Sequence, residues 1–502
     1  MAARVLQKKY YWIILVQITL LVTILRLSSS YSSTVIAGNR RITRSPHEFR
    51  GLQGLLVINE SAGGRHPIYD LIARAEYLWE EKLATQSRTL RQACDEYERR
   101  YNRHPPKGFD QWWRWASQHD VLLRDEYDQI DVDMEKYWAV PPEDLQDAQM
   151  KWEGMLDTFT IGKVEENDPL DIINATLRPN LEDDGYVRAM LQVDLMQSVQ
   201  QYLPPFRATW TAHDGMKAPT PRRDLIPAFT MSKTTLHADI LGIPVEGVQD
   251  ADDNVPWAQK TDNRVLWRGS TTGMTHAPHT PWNMSQRERF VQLANRREGS
   301  IPILPPTANE DDVVGEPEEW DFAALNDAYF DVAFTAAIQC SEPAICEHIR
   351  KEYKMGKNVY TEEAKTFKFV ADLDGNGWSS RFRRLMLTNS LVLKSTIFPE
   401  WWMDRGMPWV HFVPFKMDYS DLYDVLAFFR GTPDGQGAHD DLAEKIATAG
   451  RAWTERFWRQ DDVIAYMWRL YLEYVRVMSV DRASGARDFV LGKSTKLKKK
   501  PS

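Results

Sequence analysis

Phe367 to Lys394 reads FKFVADLDGNGWSSRFRRLMLTNSLVLK. A short apolar run, Phe367 to Ala371, suits a buried strand. An Asp- and Gly-rich turn follows, then a segment with Arg381, Arg383 and Arg384, then a second apolar run, Leu391 to Lys394. Strand, turn, helix and strand in that order form a βαβ unit, whose parallel strands require a crossover. Gly375 and Gly377 let the backbone approach a ligand closely. Ser379 and Ser380 stand where a helix N-cap is expected. A helix start offers unpaired N–H groups to an anion, and guanidinium forks suit phosphate. The unit therefore reads as a nucleotide-diphosphate site, the alternative being an ordinary crossover with surface arginines.

The same alternation extends outward. From Arg264 on, strands are expected at Val265 to Trp267, Val332 to Thr335 and Trp409 to Val413, and the last helices at His439 to Phe457 and Asp462 to Val477. Upstream, Gly185 to Tyr202 reads as a helix and Arg207 to Ala212 as a strand. Strands alternating with helices imply an α/β fold. The expected architecture is two Rossmann-type, doubly wound domains with a cleft between them. Tyr69 to Tyr101 reads as one long helix, and FDQWWRWA from Phe109 to Ala116 as an aromatic helix packed on the main fold, with sugar stacking as the alternative.

The chain has 502 residues, enough for two cores, and a net charge of −9, which argues against nucleic acid as a partner. An uncharged run from Tyr10 to Leu25 follows Arg4, Lys8 and Lys9 and predicts a short transmembrane anchor with the remainder in the secretory lumen. A cleaved signal peptide is the alternative. Sequons at Asn59, Asn174 and Asn283 agree with that side. Cys340 and Cys346 bracket a short loop and suit a disulfide in that compartment, two reduced buried thiols being the alternative; Cys94 is left free. Lys496 to Ser502 reads as a basic solvated tail. The expected divisions are 1–27, tail and anchor; 28–108, stem with a long helix; 109–263, an acceptor-side domain; 264–480, a nucleotide-sugar domain; and 481–502, a disordered tail.

Two further places carry candidate chemistry. Trp267-Arg268-Gly269-Ser270-Thr271-Thr272-Gly273 follows a strand and offers a second anion cradle at a strand's C-terminal end, with Arg287 and Arg289 on the next helix. Asp214 closes the strand Arg207 to Ala212 and is placed to take a proton from an attacking hydroxyl if it is ionised. Asp372 and Asp374 form a D-x-D pair that could hold a divalent cation, although neighbouring arginines could neutralise the same charge; no metal is the favoured reading.

At these residues the chain resembles glycosyltransferase family 90, the capsule-associated-protein type sugar transferases, and in particular its fungal branch. The matching blocks are LWRGSTTG (266–273), DVAFTAAIQC (331–340), FKFVADLDGNGWSSRFRRLM (367–386), SLVLKS (390–395), PWVHFVPF (408–415) and DDVIAYMWRLYLEY (461–474), with RHPPKGFDQWWRWA and RATWTAHDG upstream. The resemblance implies a GT-B-like fold and inverting transfer of a sugar, xylose or glucose, from a UDP-sugar to a glycan or protein hydroxyl in the Golgi or ER. It implies Asp214 as general base and a donor site at Arg268, Gly269, Ser270, Gly375, Ser379 and Arg381, without metal. An inactive transferase-fold or lectin-like subunit is the alternative.

Overall fold

The computed structural model describes residues 63–214 and 255–492, with shorter pieces at 36–37, 40–41, 47–50, 55–59, 227–234, 237 and 239–243. The apolar run Tyr10 to Leu25 and the tail Lys496 to Ser502 lie outside the described residues. Among the described residues no helix is long and apolar enough to cross a membrane.

Two helices open the described fold, α1 (Pro67–Thr85) and α2 (Leu90–Tyr101). The sequence reading joined them into one. The break comes from Thr89: its hydroxyl accepts the Gln92 N–H while the Gln92 side chain reaches back, a reciprocal cap that starts a new helix. Far from projecting as a stem, both helices pack on the rest of the chain. Trp79 of α1 meets His411 and Phe457, and Tyr97 of α2 donates to Glu473 at 2.9 Å. The aromatic helix α3 (Phe109–Gln118) buries Trp112, Trp113 and Trp115 in the core, so these rings fill space and are closed to sugars.

The first sheet holds β1 (Thr158–Lys163), β2 (Asp171–Thr176), β3 (Phe206–Thr211), β4 (Phe229–Thr230) and β5 (Ile240–Leu241) in the order β2-β1-β3-β4-β5. β1 is antiparallel to both neighbours, whereas β3, β4 and β5 run parallel. This half is therefore a mixed sheet, not the doubly wound parallel one expected. The short β1–β2 connection dictates this, since parallel neighbours need a crossover of a dozen or more residues. Helix α4 (Glu182–Met196) covers the sheet between β2 and β3.

The second sheet holds β6 (Asp262–Ser270), β7 (Phe330–Ala336), β8 (Phe367–Leu373), β9 (Leu391–Ser395) and β10 (Val413–Pro414), all parallel, in the order β7-β6-β8-β9-β10. In chain order that is 2-1-3-4-5, the doubly wound arrangement whose chain reverses between its first and third strands. Ligands of such sheets bind in the crevice at the strands' C-terminal ends at that point. Here it falls between Ser270, ending β6, and Leu373, ending β8. Helix α5 (Gln286–Ala294) follows β6, and α6 (Phe382–Leu387) links β8 to β9. Of the last two helices, α7 (Asp440–Phe457) packs against β9, while α8 (Gln460–Met478) returns to the first half, where Tyr471 meets Phe206 and Tyr474 donates to the Arg207 carbonyl at 2.8 Å.

Cys340 and Cys346 are joined as a disulfide, and Cys94 is free and buried. Asn59 and Asn283 are exposed, whereas the Asn174 amide donates to the Glu153 carbonyl at 3.1 Å within β2.

His411 joins the two layers. Its ring stacks on Trp453, meets Trp79 edge-on and accepts the Met407 N–H at 3.0 Å. Burial, with a smaller contribution from Lys82, pushes its pKa down to about 3. The folded state thus holds the ring neutral where the unfolded chain protonates it. Its contribution to stability is complete above the ordinary value of 6.5 and is lost as pH falls toward 3. Between about pH 7 and about pH 5 this amounts to ~2 kcal/mol. Denaturant titrations should show the stability gap between wild type and His411→Gln narrowing by that amount over the interval; a constant gap would exclude the assignment.

Candidate active site

A cavity of about 520 Å³ lies where the two halves face each other. Arg188 and Asp214 line it from the first half. The second half contributes the end of β6, the turn after β8 and the start of α6. Among the described residues the lining carries five arginines (Arg188, Arg268, Arg287, Arg381 and Arg384) and one carboxylate, Asp214. Such an imbalance concentrates positive potential in a cleft and favours an anion.

The two strand ends are cross-tied. Arg381 donates to the Arg268 carbonyl at 2.7 Å and to the Leu373 carbonyl at 3.3 Å, bridging the ends of β6 and β8. Arg287, on the first turn of α5, donates to the Ser270 carbonyl at 2.8 Å, the Asp374 carbonyl at 2.7 Å and the Thr272 hydroxyl. Its neighbour Gln286 accepts the Asp374 N–H at 3.0 Å. The Asn376 side chain accepts the Gly273 N–H at 3.0 Å, joining the two glycine turns directly. Both guanidiniums, Arg287 and Arg381, lie 5.7 Å from the ring of buried Trp267. Gly269 makes this packing possible, because a Cβ there would stand 2.8 Å from that ring.

Neither Arg287 nor Arg381 makes an ion pair with a carboxylate among the described residues. Burial lowers the pKa of both. For Arg287, burial and then the nearby Arg381 charge push it down to about 10. Desolvated like charges beside each other disfavour the charged form, and an anion between them reverses that effect.

Other candidate residues are differently engaged. Arg268 lines the cavity, but its guanidinium pairs with Asp331 on the adjacent strand at 2.6 Å and donates to the Trp267 and Asp331 carbonyls at 3.0 and 2.7 Å. Ser270 borders the cavity beside its carbonyl bond to Arg287. The Ser379 hydroxyl donates to Asp372, so it holds the turn closed from beneath. Gly375 lines the cavity and its N–H donates to the Gly377 carbonyl at 3.1 Å. Helix α6 spans only six residues, from Phe382, so Arg381 caps it and Ser379 and Ser380 precede it. With so few aligned peptides its dipole is small, and guanidiniums supply the positive field.

Asp372 and Asp374 do not line the cavity. Asp372 is fully buried and ion-paired with Lys394 at 2.8 Å, and Lys394 also pairs with Glu400 at 2.9 Å. Asp374 accepts the Ile397 N–H at 3.0 Å, and burial pushes its pKa up to about 6. Among the described residues no group of three or more His, Cys, Asp or Glu side chains is arranged to hold a metal ion.

Across the cleft, Asp214 Oδ1 accepts from Arg188 Nη2 at 2.6 Å, and Arg188 Nη1 donates to the Ala212 carbonyl at 3.0 Å. Beside it, His213 shares buried Asp157 with Arg178. The Asp214 side chain is about two-fifths exposed, at 39%. An ion-paired, partly solvated carboxylate is held as an acceptor and oriented toward the cavity edge. Sequence reasoning did not single out Arg188, which is 26 residues away on α4 and has no motif around it.

Residues 324–488 match the family model "Glycosyl transferase family 90". The chain carries a family 90 domain. That match includes Gly375, Ser379 and Arg381 and leaves Asp214 and Arg268 to Ser270 outside it. The chain is similar to Protein O-glucosyltransferase 1 of Rattus norvegicus, 32% identical over 124 residues, and of Homo sapiens, 30% over 126 residues. It is also 30% identical over 126 residues to O-glucosyltransferase rumi of Drosophila pseudoobscura pseudoobscura. Each similarity covers 24% of this chain and 29 to 30% of the relative, so the chain matches under a third of those proteins' length.

Proposed function

We propose that this chain is a membrane-anchored lumenal glycosyltransferase with a GT-B-like arrangement. It moves glucose or xylose from a UDP-sugar to a hydroxyl of a glycan or protein, with inversion and without metal. The observation that carries this reading is the arginine-rich cavity at the chain reversal of the second sheet, faced by a single carboxylate among the described residues. The names of the related proteins support the sugar class, and the run Tyr10 to Leu25 supports the anchor. A bridged Cys340–Cys346 pair suits an oxidising lumen of the ER or Golgi.

In this mechanism the diphosphate lies against Arg287 and Arg381, with Arg384 at the rim. Leu266, Val359, Ala364 and Leu385 give the nucleobase an apolar wall. Asp214, aligned by Arg188, accepts the acceptor hydroxyl's proton as its oxygen attacks the anomeric carbon from the face opposite the leaving group. The C–O bond to the diphosphate breaks, and the charge gathering on UDP meets donors already in place.

Titration of the detergent-solubilised full chain with UDP, UDP-glucose and UDP-xylose tests the reading. UDP is expected to bind and to raise the unfolding temperature, with no change on adding EDTA. Absence of UDP binding would overturn the function, and loss of binding in EDTA would overturn the metal-free mechanism.

A further inference from the structure

The turn after β8 does more than border the anion site: its tip crosses the cleft. A Cβ built on Gly377 would stand 2.6 Å from the Asp214 carbonyl oxygen, and 2.5 and 2.6 Å from Ser232 Oγ and Cβ. Contacts that short do not occur, so the residue at 377 has no space for a side chain. The restriction is one of volume, since Gly377 is absent from the positive-φ residues. Ser232 is fully buried, and its hydroxyl lacks a hydrogen-bond partner there. The first half thus meets the turn through main chain and a small side chain pressed together.

The other end of this turn is held to the donor side by Arg287 on the Asp374 carbonyl and Gln286 on the Asp374 N–H. One short segment therefore reaches both sides of the cleft, Arg287 at one end and Asp214 at the other. Arg188 orients the Asp214 carboxylate, and Gly377 comes up against the Asp214 carbonyl from the second half. We infer that Gly377 is a positioning residue: its contact with Asp214 and Ser232 sets the distance of the base from the donor, so that the seat of the diphosphate and the seat of the base move as one body. The inference rests on the function proposed above. It adds that the two halves are coupled at this point.

Displacing reacting groups by about 1 Å lowers turnover by up to ~100-fold. In Gly377→Ala the Cβ forces a shift of that order between Asp214 and the turn. Donor turnover, with water and with a panel of glycosides and peptides as acceptors, should fall in kcat by roughly 100-fold. UDP affinity and donor KM should stay within about threefold, since the grip of Arg287 and Arg381 is untouched. Adding Ser232→Gly removes one of the two obstacles and should recover part of the lost kcat. A kcat unchanged by Gly377→Ala would overturn the inference. So would a loss of UDP affinity in parallel with kcat, which would confine Gly377 to the donor site. If alanine prevents folding, Ser232→Thr presses on the same contact from the opposite side and should give the same split between kcat and KM. A wild-type chain that does not bind UDP defeats the function itself, and this result is visible before any variant is made.

Discussion

Arg381→Met is expected to weaken UDP binding by roughly 100-fold while leaving the unfolding temperature close to that of wild type. The guanidinium is half-buried in the cavity wall, and its charge has no carboxylate partner within ion-pair distance among the described residues. Partial desolvation of such a charge works against folding, and two carbonyl contacts and the Trp267 ring offset it only in part. Methionine fills similar volume without the charge. The carbonyls of Arg268 and Leu373 lose a donor, an expense of about 1 kcal/mol each, and the removed desolvation offsets it. Function therefore accounts for this arginine better than stability does. Calorimetric titration of UDP, beside a thermal melt of the same preparation, separates the two. A variant that melts far below wild type would mark Arg381 as structural, and one that binds UDP normally would remove it from the site.

Asp214→Asn should behave oppositely. UDP affinity should hold within a few-fold, because Asp214 lines the cavity from the opposite half to Arg287 and Arg381, whereas kcat should fall by ~10²–10⁴, the range for a general base. Asparagine keeps the size and can still accept the Arg188 hydrogen bond through its amide oxygen, so the fold should persist. It has no affinity for the proton. Equal losses in kcat and kcat/KM at constant KM identify an interaction made only in the transition state. A normal kcat would assign the base elsewhere, and His213, on Asp157 next door, would be the first residue to examine.

How far these residues could be seen beforehand varied with the range of the interaction. The βαβ unit of 367–394 was legible because apolar runs, glycines and breakers act over a few residues. Its strands formed close to where the pattern placed them, at Phe367–Leu373 and Leu391–Ser395. The break at Thr89 was legible in principle, as its cap partner lies three residues on, yet the sequence was read as one helix across it. Arg268 shows the limit. Its type and position suggested an anion ligand, yet β6 pairs with β7 in a register that sets Asp331 beside it, and that carboxylate takes the guanidinium. Arg287, one helix later, makes no ion pair with an acid among the described residues and lines the cavity instead, its guanidinium donating to main-chain carbonyls.

Chain-local chemistry determined the strands, turns and helices of the second half, the abundance of arginine near its glycine turns, and the carboxylate closing β3. Tertiary structure alone decided which arginines stay without an acid, that α8 returns to the first half, and that Gly377 abuts Asp214. The physical reason is distance. Turn and period preferences are settled within one helical turn or one strand, whereas a charge pair or a steric contact depends on how elements a hundred or more residues apart are brought into register.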